Sequence, residues 1–211
     1  MDHIIKAILP PKRPNGKTVV VFEDGAVRKY LPRTVQDRGL FPGMTLSDAE
    51  LSGLEQADSA LSAKQRAVRI ISASSVSKGE LQRRLTRKGE RPEDAEDAVR
   101  WLSELNLLND ADTARQIVAR GVARGYGAER IRQMLYEKRI PRQDWDAALE
   151  TMPDMTEALT AFLGKRLGPE PDEKTVRSAV NAAIRRGFTW GEVRSALETL
   201  QKETDEDALP D

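Results

Sequence analysis

The stretch "ELQRRLTRKG" at residues 80–89 returns fifty residues later as "RIRQMLYEKR" at 130–139. The match sets Leu81 on Ile131, Leu85 on Leu135 and Lys88 on Lys138, and it runs on to Val99 and Leu149 at the same offset. A third, more diverged copy, "VRSAVNAAIRRGF" (176–188) followed by "WGEVRSALETL" (190–200), aligns Arg186 with Lys138, Phe188 with Ile140 and Leu197 with Leu149, its spacing shifted by two. Within each copy apolar residues recur at three and four positions, the period of a helix with one buried stripe. Each copy reads as a helix, a basic helix and an apolar-striped helix separated by short turns. Self-similar units of this kind stack on their neighbours along one line. The expected fold is therefore mainly α: tandem three-helix repeats in an elongated curved stack, with a small N-terminal antiparallel β segment.

The β segment rests on "IIKAIL" (4–9) and "TVVVFE" (18–23), β-branched runs separated by Pro10, Pro11, Pro14 and Asn15-Gly16. Asp24-Gly25 then leads into 26–31, the signature of a two-residue hairpin with positive φ at the turn. Ser47, three residues ahead of Glu50, predicts a capping box for a short helix reaching about Glu55. The expected organisation is a β-rich segment at 1–61, repeats at 62–108, 109–152 and 153–202, and an acidic, disordered tail at 203–211. Trp101, Trp145 and Trp190 are out of register in the repeat alignment, so they are expected to be separate core or inter-repeat anchors. Gly125 and Gly127 are expected to supply a tight left-handed turn, with Tyr126 packed where two helices meet.

Composition narrows the chemistry. The 211 residues contain no cysteine, which removes disulfides, thiolate catalysis and cysteine-ligated metals. The single histidine, His3, has no second imidazole to share a metal with and is expected to be frayed. The sequence holds no phosphate-binding glycine loop and no apolar run long enough to span a membrane, and no secretory signal is expected. A cytoplasmic, monomeric protein with no cofactor and no metal is expected.

Net charge is zero, yet the charges are segregated. Residues 64–91 carry nine Lys/Arg against two acids, and 115–142 carry eight against two, whereas 92–112 carry one against seven. Like charges one helical turn apart, such as Arg83 with Arg87, Arg84 with Lys88 and Arg120 with Arg124, disfavour a helix by roughly 0.2–0.5 kcal/mol per pair. Cations repeated at matching helical positions point to a polyanion or an acidic protein groove as partner. The candidate surface comprises Arg83, Arg84, Arg87, Lys88, Arg120, Arg124, Arg130, Arg132, Lys138, Arg139, Arg185 and Arg186. With Tyr126 and Tyr136 the only aromatics nearby, phosphate tracking is favoured over base stacking.

"QRAVRIISASSVSKGELQRRLTRKG" (65–89) and "AVRWLSELNLLNDADTARQIVARGVARGYGAERIRQMLYEKRI" (98–140) resemble the RecX family of bacterial recombinase regulators. Ser77, Glu80, Leu81, Leu85, Lys88 and Gly89 fit that family's first repeat, and Leu107, Leu108, Asp110 and Ala114 fit the link to its second. Arg124-Gly-Tyr-Gly with Ile131 and Leu135 fits the second repeat, and Arg185-Arg186-Gly187-Phe188 the third. The resemblance covers about residues 62–200. Asn109 stands where an aspartate is usual, Thr113 replaces an aromatic, and Glu90 replaces the apolar residue after Lys-Gly. The resemblance implies a non-enzymatic modulator that binds RecA and its filament on single-stranded DNA, limiting filament extension, ATP hydrolysis and strand exchange. Its DNA contacts would be weak and sequence-independent. Two rivals remain: a helix-turn-helix-like transcription regulator whose helix at Arg130–Lys138 enters the major groove, and an enzyme acting through carboxylates.

Overall fold

The computed structural model describes residues 2–168 and 171–207, the backbone alone for 202–207. The chain divides into two compact units, Met1–Ser75 with Leu81–Leu108, and Val76–Glu80 with Asn109–Asp211.

The first unit opens with β1 (Asp2–Leu9), β2 (Thr18–Phe22) and β3 (Val27–Tyr30), joined by β4 (Thr45–Ser47) into an antiparallel sheet of order β3-β2-β1-β4. The β2–β3 turn departs from the two-residue form expected. Only Gly25 has a positive φ (+84°), and Phe22 accepts from Gly25 N–H while donating to Ala26 O, so the loop is one residue longer. His3 is not frayed. It lies inside β1, bonds Asp48 at 2.9 Å and meets Phe22 edge-on, because Asp2 pairs with Ser47 and closes the sheet against β4.

A short helix, α1 (Pro32–Asp37), precedes β4, and α2 (Asp48–Ala73) follows it. Ser47 and Glu50 form both bonds of the capping box, as expected. The helix does not stop near Glu55, however, so the boundary expected at 61/62 falls inside it. No glycine or proline lies between Glu55 and Ser62 to break it. The polar run that reads as a break is instead a row of partnered positions. Asp58 accepts from Leu31 N–H (2.6 Å), Thr34 Oγ1 (2.8 Å) and Lys17 Nζ (3.0 Å). Ser59 donates to Asp94 (2.5 Å) and Ser62 to Glu90 (3.2 Å). The N-terminal half of α2 packs Leu51 and Leu54 on Ile5, Val20, Phe22, Tyr30 and Leu46 of the sheet. Its C-terminal half buries Ala63 and Ala67; Leu81 and Leu85 of α3 (Lys78–Arg87) and Ala95, Ala98 and Leu102 of α4 (Pro92–Glu104) are buried as well.

The second unit holds two further three-helix groups. The first is α5 (Asp110–Ala123), α6 (Ala128–Glu137), a 3-10 turn at Arg142–Asp144 and α7 (Trp145–Leu149). Its core is Ala114, Ile117, Val118, Ile131, Leu135, Ile140, Trp145 and Ala148. The second is α8 (Thr156–Leu167), α9 (Glu173–Arg185) and α10 (Trp190–Asp207), with Leu159, Leu163, Ala179, Val180, Ala183, Phe188, Val193 and Ala196 inside. The segment 203–211, expected as a disordered tail, continues α10 as far as Asp207; Glu203 and Glu206 are good helix formers. Residues 208–211 lie outside the described residues.

The repeat register holds side chain by side chain. Leu81, Ile131 and Ala179 are equivalent and buried, as are Leu85, Leu135 and Ala183. All three middle helices end alike: residue 89, 139 or 187 takes a left-handed backbone (φ +91°, +56°, +89°), and the next N–H bonds back to the carbonyl of Leu85, Leu135 or Ala183. That is the Schellman closure that satisfies the last carbonyls of a helix. Of the tryptophans, Trp145 is a core residue, whereas Trp190 is 63% exposed; it sits at the start of α10, outside its buried stripe of Val193 and Ala196.

Candidate functional site

The candidate cations divide by what the fold does with them. Arg132 pairs with Glu129 (2.5 Å), and Arg130 bonds Gln133 (2.6 Å) with Glu137 at 3.7 Å, so both are engaged on their own helix. Arg120 donates to Gln116 at 3.4 Å. Arg84 reaches Ser74 (3.3 Å), and Arg83 is engaged as well. Arg186 is structural: its guanidinium lies 4.4 Å from the Phe162 ring centroid and donates to the carbonyls of Arg124 (3.1 Å) and Gly125 (3.4 Å), just past the last residue of α5. Sequence spacing could not show this, since the carbonyls are about sixty residues away.

Six candidates remain exposed and form no ion pair among the described residues: Arg87, Lys88, Arg124, Lys138, Arg139 and Arg185. All sit at helix C-termini, those of α3, α5, α6 and α9. A cation there is favoured by the helix dipole, typically by 0.3–1 kcal/mol at low ionic strength. The dipole offsets the like-charge repulsion read from the sequence, so local stability alone does not oppose this arrangement. It leaves cations that form no ion pair among the described residues at the same end of every middle helix.

Backbone contacts fix these ends inside the second unit. Gly127 and Glu129 at the start of α6 donate to the carbonyls of Arg186 (2.9 Å) and Gly187 (3.1 Å) at the end of α9. One repeat earlier the equivalent position, Ser77, donates through its side-chain Oγ instead, to the Lys138 carbonyl (2.5 Å). Gly127 is not left-handed, contrary to expectation; it caps α6 with φ −76°, and a Cβ there would collide with the Gly187 carbonyl. Gly125 (φ +66°) alone makes the turn, and Tyr126 packs on the second repeat's core as expected.

Buried carboxylates sit in the first turns of α4 and α5. Asp94 is held below the usual aspartate range by Arg91, with Ser59 adding a second hydrogen bond, against a smaller desolvation effect. Asp110, which accepts from Lys78 N–H at 2.8 Å, is pushed upward by burial. In the first unit Lys88 lines a cavity of about 390 Å³ together with Lys17, Arg66 and Tyr30. The Tyr30 hydroxyl is buried with no hydrogen-bond partner among the described residues, and desolvation pushes its pKa to about 12, so the phenol stays protonated. Among the described residues no cluster of metal-ligating side chains occurs, and no helix is long and apolar enough to cross a membrane.

Residues 109–149 match the family description "RecX, second three-helix domain". Regulatory protein RecX of Chromohalobacter salexigens is 32% identical over 135 residues, spanning 62% of this chain and 88% of the relative. The chain belongs to the RecX family of regulatory proteins. The RecX of Vibrio cholerae is 30% identical over 143 residues, covering 66% of this chain and 94% of the relative. A crystal structure of regulatory protein RecX superposes with a TM-score of 0.66 at 19% identity, covering 93% of this chain and 99% of that one. RecX from Lactobacillus salivarius gives 0.60 at 18%, covering 69% and 98%. These two share the fold.

The departures from the RecX pattern noted in the sequence are each absorbed locally. Asn109 caps α5 by accepting from Ala111 (3.0 Å) and Asp112 (3.4 Å), a role open to either Asn or Asp. Thr113 is buried and turns its hydroxyl to the Asn109 carbonyl (2.8 Å). Glu90 occupies the buried position taken by Ile140 and Phe188 in the sister repeats, where Arg66 (2.5 Å) neutralises it.

Proposed function

We propose that this RecX-family chain binds RecA and the RecA filament on single-stranded DNA, and that it limits filament extension, ATP hydrolysis and strand exchange without catalysing a reaction itself. The observation that carries this reading is the set of six cations that form no ion pair among the described residues, five at the ends of the repeated middle helices and Arg124 at the end of α5. A filament on DNA presents phosphates and acidic protein surface at regular intervals, and repeated weak contacts with such a lattice add up to avidity. Arg87, Lys88, Arg124, Lys138, Arg139 and Arg185 are the binding residues in this reading. Arg83, Arg84, Arg120, Arg130 and Arg132 are secondary, and Arg186 holds the fold. DNA phosphates contacted in this way confer affinity that falls with salt and carry no sequence preference.

A helix-turn-helix mode fits less well. A recognition helix meets bases with its N-terminal residues, but the start of α6 is covered by the end of α9 through Gly127 and Glu129. The test is a titration of DNA-dependent ATP hydrolysis by the cognate RecA. Slowing at substoichiometric protein is expected, and hydrolysis unaffected at equimolar protein would refute the reading.

A further inference from the structure

Four positions around the second repeat's middle turn carry residues that both sister repeats lack. Tyr136 stands where Thr86 and Ile184 stand, Arg139 where Gly89 and Gly187 stand, Arg142 where Pro92 and Trp190 stand, and Trp145 where Ala95 and Val193 stand. In the structure these four come together as the lining of one cavity of about 410 Å³, with Glu137 and Ile140. Trp145 is buried and fixed by its Nε1–H to the Ile140 carbonyl (3.0 Å), and the Arg142 guanidinium lies 5.0 Å from its ring centroid.

Neither Tyr136 nor the Arg139 backbone serves folding stability. Tyr136 is 69% exposed, so its ring contributes little to the core. Arg139 holds φ +56° at a turn where the sister repeats use glycine, a backbone state that disfavours any residue with a Cβ. Strain kept at one repeat and relieved in the other two is an outlier that calls for a function. Lys138 and Arg139 form no ion pair among the described residues, and the one acid of the cavity, Glu137, lies 3.7 Å from Arg130.

We propose that this cavity is a stacking subsite for single-stranded nucleic acid, with one base lying on the Tyr136 ring and the adjoining phosphates held by Arg139 and Arg142. Every base has a π-face, so the subsite is indifferent to sequence, and guanidinium groups suit phosphate oxygens. This deepens the function proposed above by adding a base-stacking contact to phosphate tracking. It rests on that reading only for where the strand is met.

The test is direct binding of the full chain to a labelled oligothymidylate of about twenty nucleotides, with no recombinase present. Tyr136→Ala is expected to weaken binding about 5- to 150-fold, the range of one lost stacking contact, while Tyr136→Phe retains it. Arg139→Gly, which restores the turn residue of the sister repeats, is expected to melt higher than the parent while binding more weakly. Its salt dependence should drop by about 0.7 in logarithmic slope, the value of one phosphate contact on a single strand. Unchanged binding by Tyr136→Ala overturns the proposal. So does an equal loss toward an abasic oligomer, which would make the surface a charge site only. If Tyr136→Ala loses inhibition of RecA but keeps oligonucleotide affinity, the occupant is an acidic protein segment: the stacking subsite fails and the function proposed above stands.

Discussion

Gly187 and Gly89 are equivalent residues with nearly the same backbone (φ +89° and +91°) but different surroundings. A Cβ on Gly89 would meet nothing within 4 Å, whereas one on Gly187 would run into the backbone nitrogen and Cβ of Arg130. Gly89→Ala should therefore cost only the left-handed strain, about 1–2 kcal/mol. Gly187→Ala carries the same strain and also forces α9 away from α6. That breaks the bonds from Gly127 N–H and Glu129 N–H to the Arg186 and Gly187 carbonyls, at about 0.5–1.5 kcal/mol each. The expected total is about 2–5 kcal/mol, and the excess of about 1–3 kcal/mol over Gly89→Ala measures the contact between the second and third repeats. Urea denaturation followed by far-UV circular dichroism gives both values. Equal losses in the two variants would refute the claim that these helix ends are pressed together.

Leu135→Ala, at a position with no exposure in the second repeat's core, should lower stability by about 2–5 kcal/mol in the same assay, and a negligible change would mean the buried stripe is misassigned. Arg66→Leu strands the Glu90 carboxylate in a buried site and should cost about 3–5 kcal/mol, whereas Glu90→Leu, which copies the apolar sister positions, should stay within about 1 kcal/mol of the parent. For Asp94, whose folded pKa is lowered, the stabilisation is present above the unfolded aspartate pKa and lost as pH falls through the folded value. Asp94→Asn should flatten that acid limb in urea midpoints measured against pH. Asp110 has the opposite sign: its folded pKa is raised, so stability falls as pH rises from the ordinary aspartate value through the raised one, and Asp110→Asn should remove that loss.

The repeat was legible because its determinants are local. Leu81 with Leu85 and Ile131 with Leu135 mark the stripe, and Gly89 and Gly187 mark the turn; the third copy is fainter because Ala179 and Ala183 fill its core. The continuity of α2 was hidden because Asp58, Ser59 and Ser62 look like a linker until their partners, 24 to 41 residues away, are known. Strand β4 is too short to show alternation, and its pairing with β1 is a long-range property. Among the cations, type and spacing showed the concentration of charge but not its disposition. The Arg132–Glu129 pair could have been read at i,i+3. The capture of Arg186 by Phe162 and the end of α5 could not.

The most direct measurement compares two charge-reversed proteins in the inhibition of single-stranded-DNA-dependent ATP hydrolysis by RecA. One reverses Arg87, Lys88, Arg124 and Arg185, which form no ion pair among the described residues; the other reverses Arg100, Arg115, Arg177 and Arg194, each paired with an acid on its own helix. Both change net charge equally, so a generic electrostatic effect moves them together. Loss of inhibition in the first protein, with inhibition kept in the second, is the expected result. Inhibition retained by the first, or lost equally by both, would contradict the assignment of the helix-end cations as the surface that meets the filament.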